Sequence, residues 1–378
     1  MKYAVIGAGM IGSAAARHLA AAGQDVTLIG PGEPEDIAGH EGVFASHYDE
    51  GRITRGLDPM PFWSRASRAA IGRYGEIERA SGLRFYSEVG CLMAGPEGSE
   101  KMRAIDEVAA RDALSCERID GAALRDRFPF FAFPEGSIGR FEAMGAGHIS
   151  PRALVQAQIR IAVSQGAVHL AEEVTGFDEG AQNVAVRTDS RSLVFDRVLL
   201  ATGGFSEALI GDALPMEVYG RTVALFALEA AEAERLRAMP SLIWQDPERD
   251  NPYLLPPIRY PDGRMYLKLG YDPEDVLLSD TAAVKQWFRS EGTPGAGDLI
   301  EGMIRDRMPG LEIAGRHVVT CVTSYTPNQL PHLKALSDRV FTAIGGCGRA
   351  AKNSDELGRL GAVILTGGAL PDWAAEAG

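Results

Sequence analysis

The sequence predicts an α/β protein: a discontinuous Rossmann-like domain joined to a second domain built on a mixed, largely antiparallel sheet. Three observations carry that prediction. A glycine-rich turn, Gly7-Ala8-Gly9-Met10-Ile11-Gly12, stands between an apolar strand and an alanine-rich helix. Two later apolar strands, residues 194–200 and Val340–Ile344, run straight into small-residue turns, Ala201-Thr202-Gly203-Gly204 and Gly345-Gly346-Cys347-Gly348, so the same layer is revisited in the middle and at the end. After Pro215 the texture changes to alternating, aromatic-bearing segments, as in an antiparallel sheet. A length of 378 residues suits about two domains.

Taken in order, Lys2–Ile6 reads as a short buried strand, residues 13–22 as a helix stopped by Gly23, and Asp25–Ile29 as the next strand. This is a β-α-β unit of about 30 residues. Gly7 makes the tight turn, Gly9 lets a pyrophosphate approach the backbone, and Gly12 lets helix and strand pack closely; Met10 and Ile11 lead into the helix, whose N–H groups and dipole favour phosphate. A dinucleotide site is therefore expected. The acidic residue expected after the second strand, to bind ribose hydroxyls, is absent. Gly30 stands there, which leaves Glu33 or Glu35 as loop candidates.

The apolar spacing of Leu154, Ile159, Ile161 and Ala162 predicts a helix over 152–165, and strands follow at 168–173, 183–188 and 194–200. Beyond Pro215, strands are expected at Glu217–Leu228 and within 253–269, punctuated by Pro247, Pro252, Pro256, Pro257 and Pro261. A last helix is expected over 354–365. The expected boundaries are 1–85, 141–215 and 318–378 for the Rossmann-like domain, and 86–140 and 216–317 for the other.

Composition narrows the function. Lys plus Arg is 38 and Asp plus Glu is 51, a net charge of −13 that argues against a nucleic-acid partner. No apolar run approaches the ~20 residues of a membrane span. The first segment is interrupted by glycines and continues into an amphipathic helix, so a targeting peptide is the weaker reading. Cys91, Cys116, Cys321 and Cys347 are scattered, with no CxxC pair and no His cluster. No disulfide framework or metal site is expected, and a reducing cytoplasm is the expected compartment.

Five segments together resemble the FAD-dependent amine oxidases of the D-amino-acid oxidase superfamily, in particular the monomeric sarcosine oxidase and N-methyltryptophan oxidase branch. They are the Gly7–Gly12 turn; Ser46-His47-Tyr48-Asp49-Glu50-Gly51-Arg52-Ile53-Thr54-Arg55, similar to the family's Ser-His plus Arg-x-x-Arg loop; Ala201-Thr202-Gly203-Gly204; Leu267-Lys268-Leu269-Gly270-Tyr271; and Cys321 with Thr326-Pro327, followed by residues 345–352. The first and third are shared by many flavoproteins. The last two are more specific to this branch. The likeness covers nearly the whole chain and is weak over about residues 95–140 and 272–312.

The resemblance implies FAD, held by Gly7, Gly9, Met10, Ile11, Gly12, Ser46, His47, Arg52, Val174, Ala201, Gly203, Gly346, Gly348 and Lys352, and bound covalently through Cys321. The rival attachment point is Cys347, and the rival reading of Cys321 is a small buried hydrophobe. Arg52 implies stabilisation of negative charge on the reduced flavin, and Arg55 with Lys352 a grip on a substrate carboxylate; solvated surface cations are the alternative. Lys268, in an otherwise apolar strand, is implied to promote reaction with oxygen, against an edge-strand lysine. Tyr253 is similar to a family active-site tyrosine, against a core aromatic.

Two departures bear on the substrate. Asp272 replaces the family's His after Gly-Tyr. Thr323 replaces its aromatic two residues past the Cys, with Tyr325 near enough to substitute. Asp272 is expected to meet a cationic or hydroxylated substrate arm. The implied reaction is oxidation of a C–N bond in an amino acid or N-alkyl amino acid, hydrolysis of the imine, and reduction of oxygen to hydrogen peroxide. Two alternatives stay open: a dehydrogenase passing electrons to a quinone or carrier, and a flavoprotein subunit without its own amine oxidation. The sequence leaves D-amino acid against secondary amine, and the oligomeric state, undecided.

Overall fold

The computed structural model describes residues 1–245, 252–272 and 274–378; the expected break at Pro247 lies outside them. A six-stranded sheet runs in the order His332–Ala335, Val340–Ile344, Arg197–Leu200, Lys2–Ile6, Asp25–Ile29, Val168–Leu170. Every neighbouring pair is parallel except the first, in which His332–Ala335 pairs antiparallel with Val340–Ile344. Strands covered on both faces read as continuous apolar runs. Ala4, Val5, Val198 and Leu199 are accordingly inaccessible to solvent. Helices Met10–Ala21, Pro61–Ser81, Pro151–Ser164 and Ala350–Leu365 pack against one another beside this sheet.

Three sequence expectations change in detail. The apolar run 194–200 is not one strand. It breaks at Asp196, whose Oδ2 accepts from the Lys2 N–H (2.6 Å) and whose own N–H donates to the Lys2 carbonyl (2.8 Å). Ser192–Phe195 therefore joins Val174–Glu179 and Val184–Thr188 in a small antiparallel sheet, while Arg197–Leu200 enters the parallel one. Residues 253–269 form a hairpin, Tyr253–Arg259 and Met265–Gly270, turned at Gly263. The last helix starts at Ala350, so Lys352 lies in its first turn and not in the turn before it.

The second large sheet is nine-stranded. Its long strand Glu217–Leu228 has Gly315–Tyr325 along one edge, and Val276–Leu278 and Met265–Gly270 along the other. Tyr253–Arg259, Ser241–Trp244, Cys91–Pro96, Ser137–Glu142 and Glu117–Ile119 follow outward. Gly315–Tyr325 crosses the expected boundary at 318 and is bonded throughout to Glu217–Leu228, so Cys321 stands on this sheet and not on the parallel one. A separate apolar cluster, including Leu92, Phe226, Leu242 and Leu267, lies beneath it. Among the described residues no helix is long and apolar enough to cross a membrane.

Candidate active site

A cleft of about 1060 Å³ begins at the Gly7 turn and ends on the nine-stranded sheet. This is at the top of the range of about 300–1,000 Å³ typical of small-molecule sites. At its first end Gly7 has φ +106°, and a Cβ there would lie 2.4 Å from the Ala201 carbonyl oxygen. A Cβ on Gly12 would lie 1.8 Å from the Gly7 oxygen, so Gly12 packs behind the cleft and does not line it. At Gly9 the Cβ position is open, and the first turn of Met10–Ala21 carries no acid to occupy its dipole. The turn is therefore a cradle with room for a pyrophosphate.

The absent ribose acid also has a steric reason. A Cβ on Gly30 would lie 2.4 Å from the Ala8 nitrogen, because the turn folds directly over it. The expectation that Glu33 or Glu35 takes over is corrected. Glu33 is bound to Arg152 (2.6 and 2.7 Å), and neither glutamate lines the cleft. Glu173, beside Val174, does line it, and accepts the Val43 N–H at 2.9 Å.

In the middle of the cleft, Ser46 Oγ donates to the Val322 carbonyl (3.1 Å), which ties the Ser46–Arg55 loop to the Cys321 strand. His47 is buried and lines the cleft, and its Nδ1 has no partner among the described residues. Burial first, then Arg152 and Arg52, lowers its pKa to about 3, so the imidazole is neutral. A buried, unpartnered nitrogen facing a cleft fits a polar cofactor edge. Arg52 lines the cleft, ion-paired to Asp49, and donates to the Gly51 carbonyl at 3.1 Å.

Lys268 is not on an edge strand. It is wholly buried in the middle of the sheet and does not line the cleft. Its Nζ donates to Asp49 and to the Gly51 carbonyl (2.6 Å), and it lies 5.6 Å from the centre of the Tyr253 ring. Burial, reinforced by Arg52, draws its pKa well below the usual lysine value. Cys321 lines the cleft half-buried, its carbonyl accepting from Trp287 Nε1 (3.0 Å). Cys347, the rival, is buried with φ +47°. Ala201, Gly203, Gly346 and Gly348 line the same wall.

Two charged groups form the far end. In the first, Asp58 is inaccessible to solvent and holds Lys352 Nζ (3.1 Å), Arg55 Nη2 (3.4 Å) and Arg349 Nε (3.7 Å). Burial opposes its ionisation, but Lys352, Arg55 and Arg349 overcome burial and keep its pKa below the ordinary carboxylate value. Burial lowers the Lys352 pKa to about 8, against the pull of Asp58. Arg55 Nε is buried without a partner.

In the second group, Arg221 donates from Nε to Thr323 Oγ1 (2.9 Å) and from Nη1 to Asp275 (2.6 Å). It lies 3.6 Å from Asp272. Its guanidinium sits over the rings of Tyr219 and Tyr325, 5.3 and 5.5 Å from their centres. Asp272 also accepts the Thr222 N–H (3.1 Å).

The structure thus gathers every expected site residue around one cleft, with Gly12 and Lys268 behind its wall. Sequence reasoning missed Asp49, Asp58, Arg221, Arg349 and Glu173. Asp49 and Asp58 flank the quoted Arg-x-x-Arg loop, and a search for carboxylates beside implied cations would have found them. Arg221 shares one face of its strand with Glu217 and Tyr219 by the period of two, but which face meets the cleft is not a local property.

A parallel sheet opening on a glycine turn, facing a second sheet across a cleft lined with cations, is the arrangement of a flavin-dependent oxidoreductase. The chain belongs to that family: the model described as "FAD dependent oxidoreductase" matches residues 2–363. It is 26% identical over 375 residues to the monomeric sarcosine oxidase of Streptomyces avermitilis (96% of this chain, 93% of the other). It is 25% identical over 378 residues to the N-methyl-L-tryptophan oxidase of Salmonella dublin (97% and 95%). In fold it is similar to NikD, described as an unusual amino acid oxidase essential for nikkomycin biosynthesis, with a TM-score of 0.76, 19% identity, and coverage of 100% of this chain and 96% of that one.

Proposed function

We propose that this FAD-dependent oxidoreductase is an amine oxidase acting on the C–N bond of an amino acid or N-alkyl amino acid. The carrying observation is the continuity of the cleft from the Gly7–Gly9 cradle, past Cys321, to Arg55 and Lys352. FAD, when bound, supplies the two-electron chemistry, taking up the hydride lost from the substrate carbon and returning both electrons to oxygen. The substrate thereby becomes an imine, which water cleaves to a carbonyl compound and an amine, while oxygen gains two electrons and two protons to give hydrogen peroxide.

The chain's own residues bind and orient. Arg55 and Lys352 hold the substrate carboxylate, a guanidinium fork and a compact point charge on one anion. Arg52 favours negative charge on the reduced cofactor, and Lys268, behind it, favours the negative charge that develops on oxygen. Cys321 is the proposed covalent attachment point. The nine-stranded sheet forms a substrate domain, the parallel sheet the FAD domain, and the substrate lies between them. No side chain is required as base, because the amine can enter neutral.

Anaerobic mixing of the FAD-loaded protein with N-methyl and D-amino acids tests this reading. The expected result is bleaching of the flavin absorption, with recovery in air and one hydrogen peroxide per substrate oxidised. Bleaching that recovers only with a quinone supports a dehydrogenase. No bleaching by any amine overturns the reading.

A further inference from the structure

We propose that the cleft selects an amino acid whose side arm ends in a cation: the carboxylate lies at Arg55 and Lys352, and an ammonium or guanidinium lies among Glu217, Asp272 and Asp275. This rests on the amine-oxidase reading and names its substrate class.

The two charged groups at the far end of the cleft differ in sign. At one, Arg55, Lys352 and Arg349 face Asp58, with Glu142 bonded to the Gly56 and Leu57 N–H groups, so cations are in excess. At the other, among the described residues, three carboxylates line the cleft around one guanidinium, that of Arg221. Arg221 is already engaged by neighbouring protein groups. Its Nε and Nη1 donate to Thr323 and Asp275, and two tyrosine rings cover its plane. Three carboxylates around one guanidinium leave this group net negative, so anionic arms are repelled and cationic ones attracted.

A second observation points to a donor-bearing ligand in the same place. Gln245 lines the cleft almost wholly buried, and its Oε1 has no partner among the described residues. It follows the strand Ser241–Trp244 directly, as Asp272 closely follows Met265–Gly270. Ile243 is opposite Tyr253, Tyr253 opposite Gly270, and Gly270 opposite Val223. Beyond these pairs the chain runs on to Gln245 and to Asp272, both of which line the cleft, as does Arg221. A buried amide oxygen without a donor is costly, and an ammonium or guanidinium that reaches it satisfies it.

The test uses the FAD-loaded protein and non-oxidisable probes of matched length, titrated into the oxidised enzyme and followed by the visible flavin spectrum: 4-guanidinobutyrate, hexanoate and adipate. The guanidino acid is expected to bind at least tenfold more tightly than hexanoate, and adipate more weakly than either. Asp275→Asn, at an exposed rim position, and Gln245→Leu are each expected to cut the guanidinobutyrate-to-hexanoate affinity ratio at least threefold. Equal or tighter binding of hexanoate or adipate overturns the proposal, as does an unchanged ratio in both variants. Anaerobic bleaching separates the two readings. Equal rates for Nα-methyl-norleucine and Nα-methyl-lysine overturn the cationic arm alone, whereas no bleaching by either overturns the oxidase reading and this inference with it.

Discussion

Lys268 and Asp49 form an ion pair sealed from solvent: the lysine is wholly buried, and its Nζ donates to a carboxylate that also pairs with Arg52 and accepts from the Tyr260 hydroxyl (2.8 Å). One carboxylate therefore balances two cations in the wall of the cleft. Asp49→Asn leaves those cations without their counter-charge and is expected to destabilise the protein by ~3–5 kcal/mol, read by chemical denaturation. Lys268→Met leaves Asp49 its other partners and should cost less. In that variant, air reoxidation of the reduced flavin is expected to slow far more than anaerobic reduction by substrate; equal slowing of both steps contradicts the oxygen role.

Lys352 links activity to pH. Its pKa of about 8 lies below the ordinary lysine value of 10.5, chiefly through burial, so the ammonium charge is complete well below pH 8 and is lost as pH rises through it. KM for a carboxylate substrate should rise above about pH 8, with kcat less affected. Lys352→Arg, which stays charged, should flatten that limb. The native state binds fewer protons here than the unfolded chain between about pH 8 and 10.5, so this group's contribution to stability rises with pH across that window.

Gly9 and Gly12 are expected to fail differently. Gly12→Ala places a methyl 1.8 Å from the Gly7 oxygen and should unfold the turn, lowering both apoprotein stability and FAD binding. Gly9→Ala meets nothing within 4 Å and should leave the apoprotein melting temperature unchanged, while FAD affinity falls at least tenfold. Calorimetric melting and FAD titration of both variants measure the contrast.

Acid precipitation reads the role of Cys321. Yellow colour is expected to stay with the wild-type pellet and to pass to the supernatant in Cys321→Ser. Colour in the wild-type supernatant means tight, non-covalent FAD. A Cys347→Ser variant that alone releases the flavin would move the attachment to the buried cysteine at the head of the last helix.

Much of the fold was legible because its signals are local. A buried strand, three spaced glycines and an alanine-rich helix are read within the first 30 residues, and the period of two marks Glu217–Leu228 without any partner. The errors arose where a partner decides the outcome. Asp196 breaks an apolar run only because Lys2 lies beside it, and Gly315–Tyr325 crosses the expected boundary because Glu217–Leu228 offers it an edge.

The sequence by itself determined the glycine turn between strand and helix, the two sheet types, the membership of a flavin-dependent family and most of the residues around the cleft. Only the tertiary structure decided how their charges balance. Lys268 and Asp49 are 219 residues apart, and Lys352 and Asp58 294. Neither carboxylate can be assigned to its lysine by spacing, because such pairs are set by which strands and helices meet across the core. The folded chain therefore fixes which cations face a carboxylate of the protein itself.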